Sequence, residues 1–400
     1  MSKKALVASK GVRVTDLFKL IPDSLFEDLA EEIAVDKWVK KLKAEAVFKL
    51  VLFSLLDSER LSLRVLEGNT RDPAFRSLYH SLSAHEVTWV GIRERLIHLS
   101  PTYCRRLYET VYEQAQTLYG EKNLGKYHIK RYDSTMIASF SHLLEGMRVG
   151  NTKKGKTQAK LTTELIDDFQ IQMYVHTDQT HVGEEIALKE AILQGKHTPE
   201  DIIVFDRGIK SRRTFAQFDD KGIGFVSRLS AKPRYKLLHA HKQEEQTPGL
   251  TWIQDSVVFL YPKGNKVLEH KMRLIQYRVH ETGQVLSFVT NLWDLPASVI
   301  AQIYRSRWDI EVLFRFMKQE MNLTHFVCNN SNAIEVMLYF TMITAMLVLI
   351  YKKQNGIRSY KMAKIQFFKE LIYSVMLEIL DSPEGIEIFR HNMKTFIQKE

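Results

Sequence analysis

The stretch Ile303–Gln319 sets Tyr304, Arg307, Glu311 and Lys318 at intervals that could do chemistry. It contains neither Gly nor Pro, so one continuous helix is expected. Stepping 100° per residue from Tyr304, Arg307 falls at about −60°, Glu311 at about −20° and Lys318 at about −40°. The four therefore share an arc of roughly 60° over nearly four turns. Ile310, Leu313, Phe314, Phe316 and Met317 cover most of the other faces. A carboxylate such as Glu311 is a hard oxygen ligand for Mg²⁺ or Mn²⁺. Arg307 can fork two donors onto a phosphate, and Lys318 offers a compact positive charge. Tyr304 can donate to a phosphate oxygen while its ring packs. The same stripe, with Arg315 on it, would serve equally as a salt-bridged solvated face.

Two further carboxylates could complete a phosphate-handling site. Asp133 ends the short β-prone run Tyr127–Tyr132 and is followed by Ser134 and Thr135. Asp206 ends the run Ile202–Phe205 and is followed by Arg207 and Gly208. An Asp at the C-terminal end of a strand is well placed to enter a crevice. Taken singly, each could also be a helix cap or a turn residue.

The elements that must position these groups are legible in outline. Residues 1–125 read as helical, with Leu17, Leu20, Ile21, Leu25 and Leu29 recurring at three- and four-residue steps. Within them Ser83–Glu86 has capping-box spacing ahead of Val87–Leu99. That segment carries Arg93, Arg95 and His98 beside an apolar stripe, which suits a DNA-reading helix or an amphipathic surface helix. From about residue 126 the texture becomes β: Phe169–His176 alternates, Asp201–Phe205 is β-branched, and Gly224–Leu229 is another candidate. Pro233–Val289 reads as all-β, with strands over Ser256–Tyr261, Lys271–Val279 and Gln284–Val289, the last two joined by a Gly-containing hairpin. Helix returns near Pro296. The expected divisions are 1–125, 126–230, a β-rich insertion 231–290, 291–351 and a helical segment 352–400. The order argues for an α/β fold, a mixed sheet flanked by helices and interrupted by that insertion.

Composition limits the alternatives. At 400 residues, 45% hydrophobic and 26% charged, the chain has the content of an ordinary globular protein. Its formal charge of +10 and pI near 9.3 suit an anionic partner such as nucleic acid. Two cysteines, Cys104 and Cys328, build neither a disulfide framework nor a CxxC zinc module. The start lacks the apolar stretch of a signal peptide. Val336–Tyr351 is apolar enough to suggest a membrane span, but it is short for one and fits a buried helix better. His176 and His181 have no matching ligand pattern around them. The basic loop Arg148–Lys160 would track a DNA backbone or simply be solvated. Trp252 is a candidate stacking aromatic, with burial in a core the favoured reading. Ser359–Asp381 reads as an amphipathic helix that could pair subunits.

The spacing Y-x2-R-x3-E-x6-K, met by Tyr304, Arg307, Glu311 and Lys318, resembles the signature of the DDE transposases of insertion-sequence family four. Asp133 in D-S-T, Asp206 in F-D-R-G, the lead-in Thr290-Asn-Leu and the R-W-D-I-E core strengthen that resemblance, which covers roughly residues 125–350. It implies a ribonuclease-H-like core in which Asp133, Asp206 and Glu311 hold two Mg²⁺ or Mn²⁺ ions. It also implies that Tyr304, Arg307 and Lys318 hold DNA phosphates around a base flipped from the element's end. The implied partners are the element's double-stranded terminal inverted repeats and a target DNA, met by a homodimer in the bacterial cytoplasm, with no membrane. A nuclease that cuts without joining, or a DNA-binding regulator whose site is unused, would share the same core.

Overall fold

The computed structural model describes residues 11–78, 87–120, 125–140, 147–148, 157–166, 169–230, 232–241, 248–262, 267–381 and 383–397. The capping box Ser83–Glu86 and residues 149–156 of the basic loop lie outside the described residues. In chain order the first helices are α1 (Val14–Phe18), α2 (Asp23–Ile33), α3 (Ala44–Asp57), α4 (Leu63–Asn69), α5 (Pro73–Leu78), α6 (Trp89–His98) and α7 (Pro101–Tyr119). Then come β1 (His128–Phe140), β2 (Met147–Arg148), β3 (Thr157–Ile166), β4 (Phe169–His176), α8 (Glu184–Gln194), β5 (Asp201–Phe205), α9 (Arg212–Asp220) and β6 (Gly224–Leu229). A meander follows: β7 (Tyr235–His241), β8 (Leu250–Leu260), β9 (Lys271–Val279) and β10 (Val285–Thr290). The chain ends with α10 (Ala297–Arg305), α11 (Trp308–Glu320), α12 (Ser331–Gln354), α13 (Tyr360–Leu380) and α14 (Pro383–Ile397).

These elements form two compact units, Met1–Tyr119 with Ala138–Leu143 and Arg315–Glu400, and Gly120–Ile137 with Leu144–Phe314. The packing does not follow the expected division at residue 351. The helical unit is built around α12, which is apolar on every side and must therefore be enclosed. It packs against α3, α6, α7 and α13, with Phe48 against Phe340 and Tyr108 against Tyr339. α12 is the one described helix long and apolar enough to cross a membrane, and 89% of its most apolar window is buried within the protein. α13 buries Ala363, Phe367, Leu371, Val375 and Ile379 and leaves Tyr373, Leu377 and Leu380 exposed. α6 is capped by Thr88, whose hydroxyl accepts from Gly91 N. Its Arg95 is not available for reading DNA: the guanidinium pairs with Asp36 and donates to the Leu42 and Val35 carbonyls.

The second unit is organised on one sheet of ten strands, ordered β2-β3-β1-β5-β6-β10-β9-β8-β7, with β4 paired to β3. β5 is buried along its whole length between β1 and β6, parallel to both, which explains its unbroken apolar run. The antiparallel hairpin β3–β4 lies on one side of this core. The β-rich insertion adds β7 to β10 to the same sheet, because β10 pairs antiparallel with β6. The β9–β10 turn needs a left-handed residue, supplied by Gly283 at φ 65°. Side chains alternate between two apolar layers. Tyr132, Ile203, Phe205 and Phe225 pack with Leu188, Ala191 and Ile192 of α8 and Phe215 and Phe218 of α9. Ile129, Ile202, Val204 and Val226 pack with Ala297, Ile300, Ala301 and Ile303 of α10. This mixed sheet between helices is ribonuclease-H-like.

Candidate active site

The sheet register explains how two distant acids meet. Arg131 of β1 lies beside Val204 of β5, so two residues further along the parallel pair Asp133 comes beside Asp206. Both side chains belong to the layer that α10 covers, since Ile129 and Arg131 precede Asp133 on its face. Asp133 does not end its strand as expected. β1 runs on to Phe140, because the strand continues along β3 after β5 has stopped, with Ser134 Oγ and Thr162 Oγ1 2.8 Å apart. Asp206 does follow the last residue of β5. Its Oδ1 accepts from Gly208 N at 2.6 Å, and a Cβ at Gly208 would lie 2.8 Å from that oxygen. Only glycine fits so close an approach.

The expected single helix over Ile303–Gln319 is broken. α10 stops at Arg305 and α11 begins at Trp308. Ser306 turns its hydroxyl back onto the Ile303 carbonyl at 2.7 Å, and Arg307, Asp309 and Ile310 each bond to the carbonyl three residues earlier. Such local hydroxyl bonding competes with the regular ladder and tightens the turn. Arg131 holds this turn from below, donating to Ser306 Oγ at 3.2 Å and facing Asp309 at 3.5 Å.

The break aims Arg307 between the acids. Its Nη2 meets Glu311 Oε1 at 2.7 Å and its Nη1 lies 3.9 Å from Asp133 Oδ2. Burial alone would lower the Arg307 pKa, but the bond to Glu311 and the nearby acids hold it above its usual value. Its Nε is buried with no hydrogen-bond partner among the described residues. Tyr304 stacks its ring 5.7 Å from that guanidinium and 5.1 Å from Phe288. Burial pushes the Tyr304 hydroxyl up, while Arg307 and Arg228 pull it back. Lys318 stays on the same helix two turns beyond Glu311, among the residues that pack with the helical unit. Asp133, Asp206, Arg307, Glu311 and Tyr304 are thus assembled within one unit.

The structure adds residues that the sequence reading missed. An open pocket of about 660 Å³ is lined by Arg228, Gln302, Tyr304, Arg305, Ser306, Arg307, Trp308 and Asp309. Arg228 comes from β6, and nothing in its local sequence distinguishes it from an ordinary strand residue. Trp308 is 54% exposed at this pocket, whereas Trp252 packs against the apolar layer under α10. Glu184, the first residue of α8, hydrogen-bonds to Asp133 and carries a raised pKa through burial and the Asp206 charge. An acid in a first helical turn reads as an ordinary complement to the helix dipole, which hid it. His176 and His181 stack at 4.4 Å, with His181 bound to Glu190 at 2.7 Å. Burial and the His181 charge depress His176 to about 4, so this pair supports the strand end and is not a metal centre.

Burial, reinforced by Asp206 and Glu184, pushes Asp133 up from 3.8 to about 7 despite Arg307 and the Ser134 amide. Among the described residues, no three His, Cys, Asp or Glu side chains close on one ion-sized point. That spread follows from repulsion: without a cation, Glu311 turns to Arg307 and Asp133 to Glu184. All the donors are carboxylate oxygens, the set that suits Mg²⁺ or Mn²⁺, and the raised Asp133 marks negative charge that such a cation would relieve. The folded state holds the Asp133 proton to a higher pH than the unfolded chain does. Without divalent ions, stability should therefore fall as pH rises from about 4 through 7. Asp133→Asn removes the penalty, so in EDTA at about pH 8 the variant should melt above the native protein, the two converging near pH 4. Equal melting temperatures at the higher pH would contradict the acid clustering.

Comparison with known proteins agrees with this geometry. A family model described as the transposase DDE domain matches residues 132–347. A Sinorhizobium fredii protein named as a candidate transposase, y4zB, is 30% identical over 38% of this chain and 43% of its own. A Synechocystis protein named as a candidate transposase for insertion sequence element IS4SA is 44% identical over 14% of this chain and 18% of its own. A Geobacillus stearothermophilus protein similarly named for IS5377 is 35% identical over 16% and 18%. This chain thus matches less than half the length of these relatives. The piggyBac transposase, in a synaptic complex with hairpin DNA, superposes with a TM-score of 0.50 at 12% identity, over 98% of this chain and 87% of that one. At that identity the likeness speaks for the fold alone. With more than half its residues matched by the family model, the chain belongs to the transposase DDE domain family.

Proposed function

We propose that this chain is a transposase of the insertion-sequence-family-four group, cutting DNA at its element's ends and joining the 3′-OH ends to target DNA. The observation that carries this reading is the gathering of Asp133 and Glu311 on one guanidinium, Arg307, with Asp206 beside Asp133. A binding-only protein has no use for acids collected where phosphate must approach.

Asp133, Asp206 and Glu311 would hold two divalent ions. When bound, such ions lower the pKa of an attacking water or 3′-OH and stabilise the leaving oxygen. The chain's own work is positioning. Arg307 offers a planar fork, with Nε unpartnered, to two oxygens of the scissile strand. Arg228 and Arg305 add charge along the pocket, and the Tyr304 hydroxyl donates to a phosphate oxygen. Trp308 replaces Trp252 as the aromatic offered to an extruded base, since only its ring is exposed at the pocket. Lys318 is assigned to a phosphate further along the same strand. End recognition is assigned to residues 1–125, and joining two ends would require two copies of the chain. The protein would act on the nucleoid, in the bacterial cytoplasm.

The test is to give the purified protein DNA flanking its own coding region. Nicking at short inverted repeats, present with Mg²⁺ and absent with EDTA, is expected; cleavage that persists in EDTA would sink the reading. In the same assay Arg307→Ala should lower single-turnover cleavage by about 100-fold, the scale of losing one transition-state donor. Its melting temperature should change little, since Glu311 is one-third exposed. Normal cleavage with a large loss of stability would instead mark a merely salt-bridged face.

A further inference from the structure

We infer that Glu184 is a fourth acidic ligand of this site, sharing a divalent cation with Asp133 and Asp206; the inference rests on the two-ion reading above. Glu184 opens α8, whose inner face of Leu188, Ala191 and Ile192 is locked into the apolar layer beneath the sheet. That packing fixes the first turn of the helix over the ends of β1 and β5. From there the Glu184 side chain hydrogen-bonds to Asp133. Its Cγ and Cδ lie 2.9 Å from the point a Gly208 Cβ would occupy, and Asp206 Oδ1 lies 2.8 Å from the same point. One acid from a helix thus stands against one from each of two parallel strands.

The helix dipole does not explain this placement. Glu185 occupies the same first turn and would serve the dipole equally well, yet its Oε1 accepts from Ser211 N at 2.7 Å, away from the other acids. The positive groups facing Glu184 are Lys160 from β3 and Arg307. Lys160 Nζ is already bonded to the Val182 carbonyl at 2.7 Å, and Arg307 to Glu311. Neither neutralises an acid wedged between two others. Like charges are held this close chiefly where a cation joins them.

Mn²⁺ titration of the full chain, followed by electron paramagnetic resonance and calorimetry, separates the possibilities. Glu184→Gln should weaken at least one Mn²⁺ site by about tenfold or more, while Glu185→Gln binds as the native chain does. In EDTA the Glu184→Gln protein should melt at or above the native temperature, because a like charge has been removed from a cluster. A lower melting temperature, or failure to fold, would make Glu184 structural and overturn the inference. If Asp133→Asn abolishes a Mn²⁺ site and Glu184→Gln binds normally, Glu184 alone is wrongly assigned. If Asp133→Asn also binds Mn²⁺ normally, the two-ion reading itself fails.

Discussion

Replacing Asp133 or Asp206 by Asn, or Glu311 by Gln, is expected to lower strand cleavage by at least about a thousandfold, with DNA binding changed only a few-fold. Each amide keeps the volume of the acid and removes its charge, so shape and packing are retained. For Asp133 the change relieves burial and repulsion from Asp206 and Glu184, and stability without metal should rise. For Glu311 the loss is one pairing to Arg307 at a group one-third exposed, worth well under about 1 kcal/mol. A thousandfold loss of activity could not then be blamed on unfolding. Single-turnover cleavage in Mg²⁺, with band shifts and melting curves on the same preparations, makes the comparison. Wild-type cleavage by any of the three would remove that residue from the site.

Arg273→Met is expected to destabilise the sheet unit by about 3–5 kcal/mol, the largest stability loss among the single substitutions considered. Arg273 of β9 is nearly buried and makes a two-pronged pair with Asp255 of β8, at 2.9 and 2.6 Å. Its remaining amine donates to the carbonyls of Leu292 and Leu295, at 3.0 and 2.6 Å. Methionine fills the space but leaves a buried Asp255 without its charge partner and strips those carbonyls of a donor. The affected loop leads directly into α10, which carries Tyr304, so the meander's contribution is to hold the site's entry in place. Urea denaturation should record the loss, whereas Arg106→Ala, breaking an exposed pair with Glu32, should cost under about 1 kcal/mol. A cost for Arg273→Met no greater than that for Arg106→Ala would show that the meander does not depend on this tie.

Much of the sheet was legible in the sequence because its strands obey local rules. Phe169–His176, Asp201–Phe205, Gly224–Leu229 and Lys271–Val279 all form where alternation or β-branched runs place them. Asp133, Asp206, Arg307 and Glu311 could be picked out by spacing and chemistry, and the fold brings them together. What could not be read depends on partners distant in sequence. The turn at Ser306 and Arg307 contains no breaker; it is set by a hydroxyl bond and by Arg131, which is 175 residues away. Asp133 was taken as a strand end because Ser134 and Thr135 look like turn residues, yet β3 gives that segment a partner. β1 also buries Lys130, which no strand pattern anticipates. Its charge is met by Glu164 and Asp201 at 3.3 and 3.1 Å, on two neighbouring strands. Glu184 looked like an ordinary first-turn acid, and Arg95 like a surface cation, until tertiary packing gave each its partners. Trp252 and Trp308 differ in burial, a property set by the layers above them and not by their neighbours in the chain.

The most direct test of the central claim is a joining assay. The purified chain is supplied with an element end already nicked to expose its 3′-OH, a supercoiled target plasmid and Mg²⁺. Covalently joined end–plasmid products that disappear in EDTA and in the Glu311→Gln protein are the predicted result. Persistent nicking with no joined product, or joining that survives either treatment, would contradict it.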